Sequence, residues 1–188
     1  INLREGKTTI YENGIEETLG ECIRSNKLRF TDLIDGEFPV WIIALAYLPG
    51  HEQHYIRALG SIRAPVGQPP LIIIRGTVPP GYIRSHLLPT LERQFDGPVD
   101  EAFYLVSAPE RSLSGIALEE LSSLPQLIGG TQKSLERAIA LFERAGISCI
   151  PLPSLEAGEL AKTFINFSRF VQFNLANYFG VLCHQFDI

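Results

Sequence analysis

LIIIRGTVPPGYIRSHLLPTLERQF, residues Leu71 to Phe95, carries the reading that decides the fold. Leu71 to Thr77 is a short, continuous, β-rich apolar run, the pattern of a strand buried on both faces of a parallel sheet. Tyr82 to Phe95 then places Ile83, Leu87, Leu88 and Leu91 at helical spacing with charges between them. The connection, Thr77-Val78-Pro79-Pro80-Gly81, is a rigid turn of two prolines and a glycine. In a doubly wound sheet, ligands sit beyond the carboxyl ends of the strands, which is where Thr77 falls. Taken locally, the favoured reading of the same turn is an ordinary strand-to-helix connection with helix-starting prolines.

The same alternation continues on both sides. Val40 to Ala46 (VWIIALA) predicts a strand and His51 to Ala64 a helix. Ala102 to Ser107 (AFYLVS) predicts a third strand, followed after an irregular stretch by Gln126 to Gly130. Thr131 is placed to cap a helix running to Ala145, with Leu135, Ile139 and Phe142 as its buried stripe and Gly146 as its stop. Ile147 to Leu152 is a further strand. Strands alternating with helices over short connections predict an α/β domain, a Rossmann-like parallel sheet with flanking helices, over residues 1–153.

After Pro151-Leu152-Pro153 the pattern changes. Ser154 to about Gln185 holds no proline and only Gly158 and Gly180 as weak points, which predicts one long helix. Leu160, Phe164, Phe167, Val171, Leu175, Phe179 and Leu182 recur along it at spacings of three and four. Residues 154–188 are therefore expected to begin a second, helical unit or a spine between subunits.

Bulk properties narrow the function classes. The 188 residues are 45% hydrophobic and 20% charged, enough for one good core. A formal net charge of -5 gives no basic footprint, so nucleic acid is not expected as a partner. No apolar run has a membrane helix's length and the start has no signal-peptide core, so a cytoplasmic protein without a membrane partner is expected. Cys22, Cys149 and Cys183 are odd in number, widely spaced and without a CxxC, which predicts reduced thiols and no bound metal. Cys183, within Val181-Leu182-Cys183, reads as a buried inert thiol, and the four histidines as surface or packing residues. The sequence contains no methionine, an initiator included, as expected of a chain that begins partway into its gene or from which methionine positions have been lost.

Three sets of residues could carry chemistry. Lys162 and Asn166 are four apart on the long helix and share a face, with Glu159 one turn earlier; an amine and an amide aimed together can steady an oxyanion. Glu159 and Lys162 read equally as a solvated surface pair. Glu110, in Ala108-Pro109-Glu110-Arg111, follows a strand and could act as a general base, or could pair with an arginine at the surface. Thr77 offers a hydroxyl at the same rim.

In order and spacing these segments resemble the UDP-glucose/GDP-mannose dehydrogenase family. Asn2 to Lys7 with Ile10-Tyr11-Glu12-Asn13-Gly14-Ile15 is similar to the family's LN-x-G-x-x-PIYEPGL stretch, and Leu28 to Thr31 to its next short strand. Thr77 to Gly81 resembles its STVPPG turn, Ala108 to Arg111 its SPER segment, and Pro125 to Gly130 its RVIGG element. Ser154 to Ala157 with Glu159-Leu160-Ala161-Lys162 and Asn166 resembles its EAELAK-x-x-x-N helix, and Asn174 to Asn177 continues in step. The Pro-Glu-Arg form, with Gly115 and Ala117 after it, is closest to the UDP-N-acetylhexosamine branch.

The resemblance implies oxidation of a UDP-sugar C6 alcohol to a carboxylate by two molecules of NAD in turn, through a cysteine thiohemiacetal and thioester. It implies catalytic roles for Thr77 (holding water), Glu110 (assisting hydrolysis), and Lys162 and Asn166 (the oxyanion). It implies that Thr77 and Glu110 also face the cofactor, that Glu156 and Glu159 lie near the sugar or support Lys162, that Arg111 lies on the sugar side, and that the long helix contributes to a homodimer. The sequence departs from the family in having no GxGxxG at a strand-helix junction and no GGxC beyond the long helix. It also has Tyr47-Leu48 where a Thr-Pro pair is usual, and Arg75-Gly76 where small polar residues precede the threonine. Two expectations follow: part of a working dehydrogenase, or a diverged, catalytically incompetent relative serving as a binding or dimerisation module. A more distant hydroxyacid dehydrogenase relationship fits the Pro-Pro-Gly and Pro-Glu-Arg segments less well.

Overall fold

The computed structural model describes residues 3–34, 36–50 and 52–188, so the readings on Asn2 and His51 lie outside the described residues. Five strands, β1 (Val40–Ile43), β2 (Leu71–Ile74), β3 (Tyr104–Ser107), β4 (Gln126–Gly130) and β5 (Cys149–Leu152), form one sheet in sequence order. Each lies inside its predicted run. β1, β2 and β3 are parallel, and so are β4 and β5.

One pairing departs from the all-parallel expectation: β3 and β4 are antiparallel, through Val106 with Gly130 and Ser107 with Gly129. Between these strands the only helix is α4 (Ala117–Ser123), which buries none of its residues. A parallel return needs a crossover packed on a sheet face, and without one β4 comes back in the opposite direction. The result is a mostly parallel, Rossmann-like sheet.

The helices cover both faces. α2 (Gln53–Gly60) and α3 (Leu88–Phe95) lie on one side, where Tyr55, Leu59, Ile83, Leu87 and Leu91 pack against Trp41, Ile43, Ile72, Ile74 and Leu105. α5 (Gln132–Arg144) lies on the other, with Leu135, Ala138 and Phe142 over Leu71, Ile73, Val106 and Ile128. All four residues of β2 are buried, as its unbroken apolar run requires. The predicted Tyr82–Phe95 helix opens with a π-helical turn, Ile83–Leu87, before α3. Pro89, which has no N–H to continue the ordinary ladder, stands just beyond that turn.

The N-terminal segment contributes α1 (Ile15–Arg24), none of whose residues is buried. Leu28 to Thr31, expected as a strand, is irregular, since a strand exists only by pairing and none of the described ladders includes it.

α6 (Leu155–Phe186) runs 32 residues, capped by Ser154, whose Oγ accepts from the Ala157 N–H at 3.2 Å. Its buried residues, Leu155, Gly158 and Glu159, are all in the first turns. From Phe170 onward every residue except Leu182 is exposed. Cys183 is among them, which corrects the expectation of a buried thiol. No described helix is long and apolar enough to cross a membrane.

Candidate functional site

The ends of β3 and β4 form the seat onto which α6 is laid, beside the carboxyl end of β2, and together these ends make a rim. Two glycines set the height of this contact. A Cβ on Gly158 would lie 2.8 Å from Ser107 Oγ, and one on Gly129 would lie 2.8 Å from the Gly158 nitrogen. The helix start therefore rests on the ends of β3 and β4 with backbone against backbone. Gly158, read from the sequence as a weak point of the helix, is its seat.

Glu159, next along, is 2% exposed and is held by backbone N–H groups. Its Oε2 accepts from the Gly81 N–H at 2.5 Å and its Oε1 from the Ile83 N–H at 2.9 Å. Burial raises the carboxyl's pKa, against the lowering effect of these two bonds. The surface-pair reading of Glu159 with Lys162 is thereby corrected: its partners are the N–H groups that open the helix after the Thr77 turn. Glu156, one turn earlier, instead forms a fork with Arg84, through Nε to Oε1 and through Nη2 to Oε2 at 3.2 Å. That bond holds the Glu156 pKa down, to about 2.

Lys162 is half-buried just beyond. Burial lowers its pKa, and the positive charges of Arg169, Arg111 and Arg75 lower it further. The amine thus stands in a cationic corner made by residues from β2's end, the loop after β3, and α6 itself. Asn166, one turn further, is exposed on the same helix face, and Thr77 is exposed at the end of β2.

Glu110 is also at this rim, held by more than one neighbour. Its Oε1 accepts from the N–H groups of Arg111 (2.7 Å) and Ser112 (2.8 Å), and its Oε2 forms an ion pair with Arg75. Arg75 in turn donates to Gln126 Oε1 (2.5 Å) and Ala108 O (3.2 Å), and burial lowers its pKa. The arginine partner of Glu110 is thus Arg75, 35 residues upstream and unrecognised from sequence. Arg111 turns its guanidinium to the Pro125 carbonyl at 2.7 Å, while its Nε is buried without a partner.

A second remote carboxylate holds the neighbouring loop. Glu12, 8% exposed, accepts from the N–H groups of Gly115 (2.6 Å) and Ala117 (2.8 Å) at the start of α4. The first N–H groups after both rim loops are therefore already bound by carboxylates, and these donors are not offered to a phosphate.

At the β1–β2 end of the rim, Tyr82 packs edge-to-face with Tyr47 (ring centroids 5.0 Å apart) and Tyr55 (6.1 Å) and stacks on His86 (4.7 Å). Gly76 has no room for a Cβ there, because the Leu45 carbonyl and the Tyr55 hydroxyl, bonded to each other at 2.6 Å, occupy the space. The departures at Tyr47 and Gly76 are thus one packing unit. The Tyr82 hydroxyl is buried in it with no hydrogen-bond partner.

The exposed Thr77 hydroxyl and the half-exposed Glu110 carboxylate stand at the carboxyl ends of the strands, where a doubly wound sheet binds ligands such as a dinucleotide. A glycine-loop cradle for its pyrophosphate is not among the described residues. Nor, among them, do three or more His, Cys, Asp or Glu side chains gather in a way that could hold a metal ion.

Residues 1–145 match the family model described as UDP-glucose/GDP-mannose dehydrogenase family, NAD binding domain. The UDP-N-acetyl-D-mannosamine dehydrogenase of Pyrococcus horikoshii is 30% identical over 195 residues, covering 99% of this chain and 46% of the relative. The solved structure of the UDP-D-ManNAc dehydrogenase from that organism superposes with a TM-score of 0.86 at 27% identity, over 99% of this chain and 46% of the other. The UDP-N-acetyl-mannosamine dehydrogenase of Staphylococcus aureus gives 0.79 at 28% identity, over 99% and 47%. The chain spans less than half the length of these relatives.

Proposed function

Because the chain belongs to the UDP-glucose/GDP-mannose dehydrogenase family through its NAD-binding domain, we propose that it forms part of an NAD-dependent 6-dehydrogenase of a UDP-N-acetylhexosamine. UDP-N-acetyl-D-mannosamine is the first sugar to test, on the names of its relatives. The observation that carries this reading is the seat of α6: Gly158 rests on Ser107 at the end of β3, which brings Lys162 into a corner where the charges of Arg75 and Arg111 reach it. Such a corner favours an oxygen on which negative charge develops.

In the reaction the C6 alcohol becomes a carboxylate, losing two hydrides in turn, with water supplying the second oxygen. NAD, when bound, accepts each hydride. Lys162 and Asn166 hydrogen-bond the C6 oxygen as it gains charge. Thr77 holds the water, and Glu110 takes its proton at Oε2, the oxygen that otherwise faces Arg75. Arg111, Glu156 and Glu159 line or brace the sugar side. The nucleophilic cysteine of the scheme comes from other sequence: Cys22 is in α1, Cys149 in β5, and Cys183 near the far end of α6.

The exposed, aromatic-rich remainder of α6, including Phe164, Phe167, Phe170 and Phe173, is apolar enough to be covered in a larger assembly, and we assign residues 154–188 to a dimerisation unit on that ground. The division falls after an α/β unit of residues 1–153.

The test is NADH formation by the protein expressed from its complete gene, supplied with NAD and a panel of UDP-sugars. Turnover that Lys162→Ala abolishes supports the reading; no turnover with any UDP-sugar rejects it. The tyrosine packing at Gly76 favours a second reading, a diverged module without catalysis. Calorimetric titration with NAD separates the two, since saturable binding with turnover excludes the second.

A further inference from the structure

Helices usually cap their first N–H groups with a nearby Ser, Thr, Asp or Asn. The chain leading into the π-turn and α3 reads Pro79-Pro80-Gly81-Tyr82, which offers none of these capping residues. The cap has moved to α6: Glu159 reaches across 78 residues of sequence to Gly81 and 76 to Ile83. Each carboxylate oxygen takes one N–H, so the joint is two-pointed and resists rotation as well as separation. It also costs something, because a carboxylate 2% exposed loses its hydration, and that loss raises its pKa despite the two N–H bonds and the nearby charge of Arg84. A local serine would cap the helix more cheaply. What the costlier arrangement adds is a fixed distance between the turn that begins at Thr77 and the helix that carries Lys162, three residues past Glu159.

Building on the dehydrogenase reading above, we propose that Glu159 is a positioning residue: it locks the Thr77 turn to α6 so that the Thr77 hydroxyl and the Lys162 amine address the same substrate carbon. Glu159 itself touches backbone and, at 2% exposed, is closed to substrate. Its effect is therefore on the rate of reaction and not on how tightly sugar or cofactor is held.

The test uses the protein from its complete gene, with Glu159→Gln as the near-isosteric variant and two readouts. By hydrogen–deuterium exchange, the amides of Gly81 and Ile83, the two that Glu159 accepts from, should exchange at least ~10-fold faster in Glu159→Gln, and not in Glu156→Gln, whose carboxylate bonds the Arg84 side chain of the same turn. By steady-state kinetics, Glu159→Gln should lower kcat ~10-fold or more while KM for NAD and UDP-sugar stays within about twofold. Unchanged exchange overturns the lock, and a loss expressed only in KM overturns the positioning role. An unsubstituted protein without turnover rejects the dehydrogenase reading and with it the catalytic role of the lock, while the exchange result still decides whether the lock exists. If Glu159→Gln does not fold, the unsubstituted protein decides: the first turn after Gly81 should exchange at least ~10-fold more slowly than the first turn of α2, which has no side-chain cap. Equal rates overturn the proposal.

Discussion

Gly158 sits against Ser107 with no space for one more carbon: a Cβ there would come within 2.8 Å of the serine Oγ and Cβ and 2.9 Å of its carbonyl oxygen. Replacing a mid-helix glycine by alanine ordinarily favours the helix by about 0.5–1 kcal/mol. Here the sign reverses, because the helix must lift off the ends of β3 and β4. Gly158→Ala is expected to destabilise the chain by about 1–3 kcal/mol, the range for overpacking. Chemical denaturation would show it as a lower midpoint at unchanged slope; a midpoint equal to or above that of the unsubstituted chain contradicts the close seating.

The pair formed by Glu156 and Arg84 makes a pH prediction whose sign follows from the carboxylate. Arg84 holds the Glu156 pKa down to about 2 in the folded chain, below its ordinary 4.5. A depressed carboxylate stabilises the fold above its unfolded pKa and loses that stabilisation as pH falls through the folded one. The stability difference between the unsubstituted chain and Arg84→Ala should therefore be full at pH 7 and shrink between the two values. Arg84 is mostly solvent-exposed, so the difference at pH 7 is expected to be about 1 kcal/mol or less. Melting curves of both proteins across that window test it, and a difference that grows on acidification is the contrary result.

Glu12 makes a prediction about the N-terminal segment. α1 buries nothing, and Glu12 bonds Gly115 and Ala117 more than 100 residues away. Glu12→Ala should cost about 1–2 kcal/mol as a lost cap and leave the segment loosely held. Limited proteolysis should then cut within residues 25–34 well before the α/β core is attacked. Equal cleavage rates in the two proteins would show that other contacts hold the segment.

What was legible in the sequence follows from the range of the interactions. β2 could be read because both its faces are buried, so its four residues had to be uniformly apolar. α6 could be read because its own backbone bonds need no partner and no proline interrupts it. The direction of β4 could not, since pairing sense leaves no periodicity in either strand. Thr77, Glu110, Lys162 and Asn166 could be nominated from the order of short motifs, yet their surroundings could not. Arg75, the partner of Glu110, looked like an intrusion beside Gly76, and Glu159 looked like half of a surface pair. Those partners are set by tertiary contact across tens of residues, which local spacing does not encode. The closeness of Gly76 to the Tyr55 hydroxyl and the Leu45 carbonyl is the one such case with a usable signal, since the glycine at 76 and the tyrosine at 47 both depart from the family pattern at one rim.

Tyr82 supplies the last prediction. Its hydroxyl is buried and unpartnered while Tyr47 bonds Glu52 at 3.1 Å and Tyr55 bonds the Leu45 carbonyl. Burial is the first cause raising its pKa, with Tyr47 and Glu52 adding to it, so the hydroxyl stays protonated at neutral pH and holds a donor that nothing receives. An unmet buried donor costs about 1–3 kcal/mol, and removing it while keeping the ring should recover part of that. Tyr82→Phe keeps the contacts with Tyr47, Tyr55 and His86 and deletes the hydroxyl alone. In the ligand-free protein it should therefore raise stability, by up to about 1 kcal/mol, the net worth of a typical hydrogen bond. A measured loss of similar size would mean that the hydroxyl has an acceptor in solution, and the natural place for one is the rim beside Thr77.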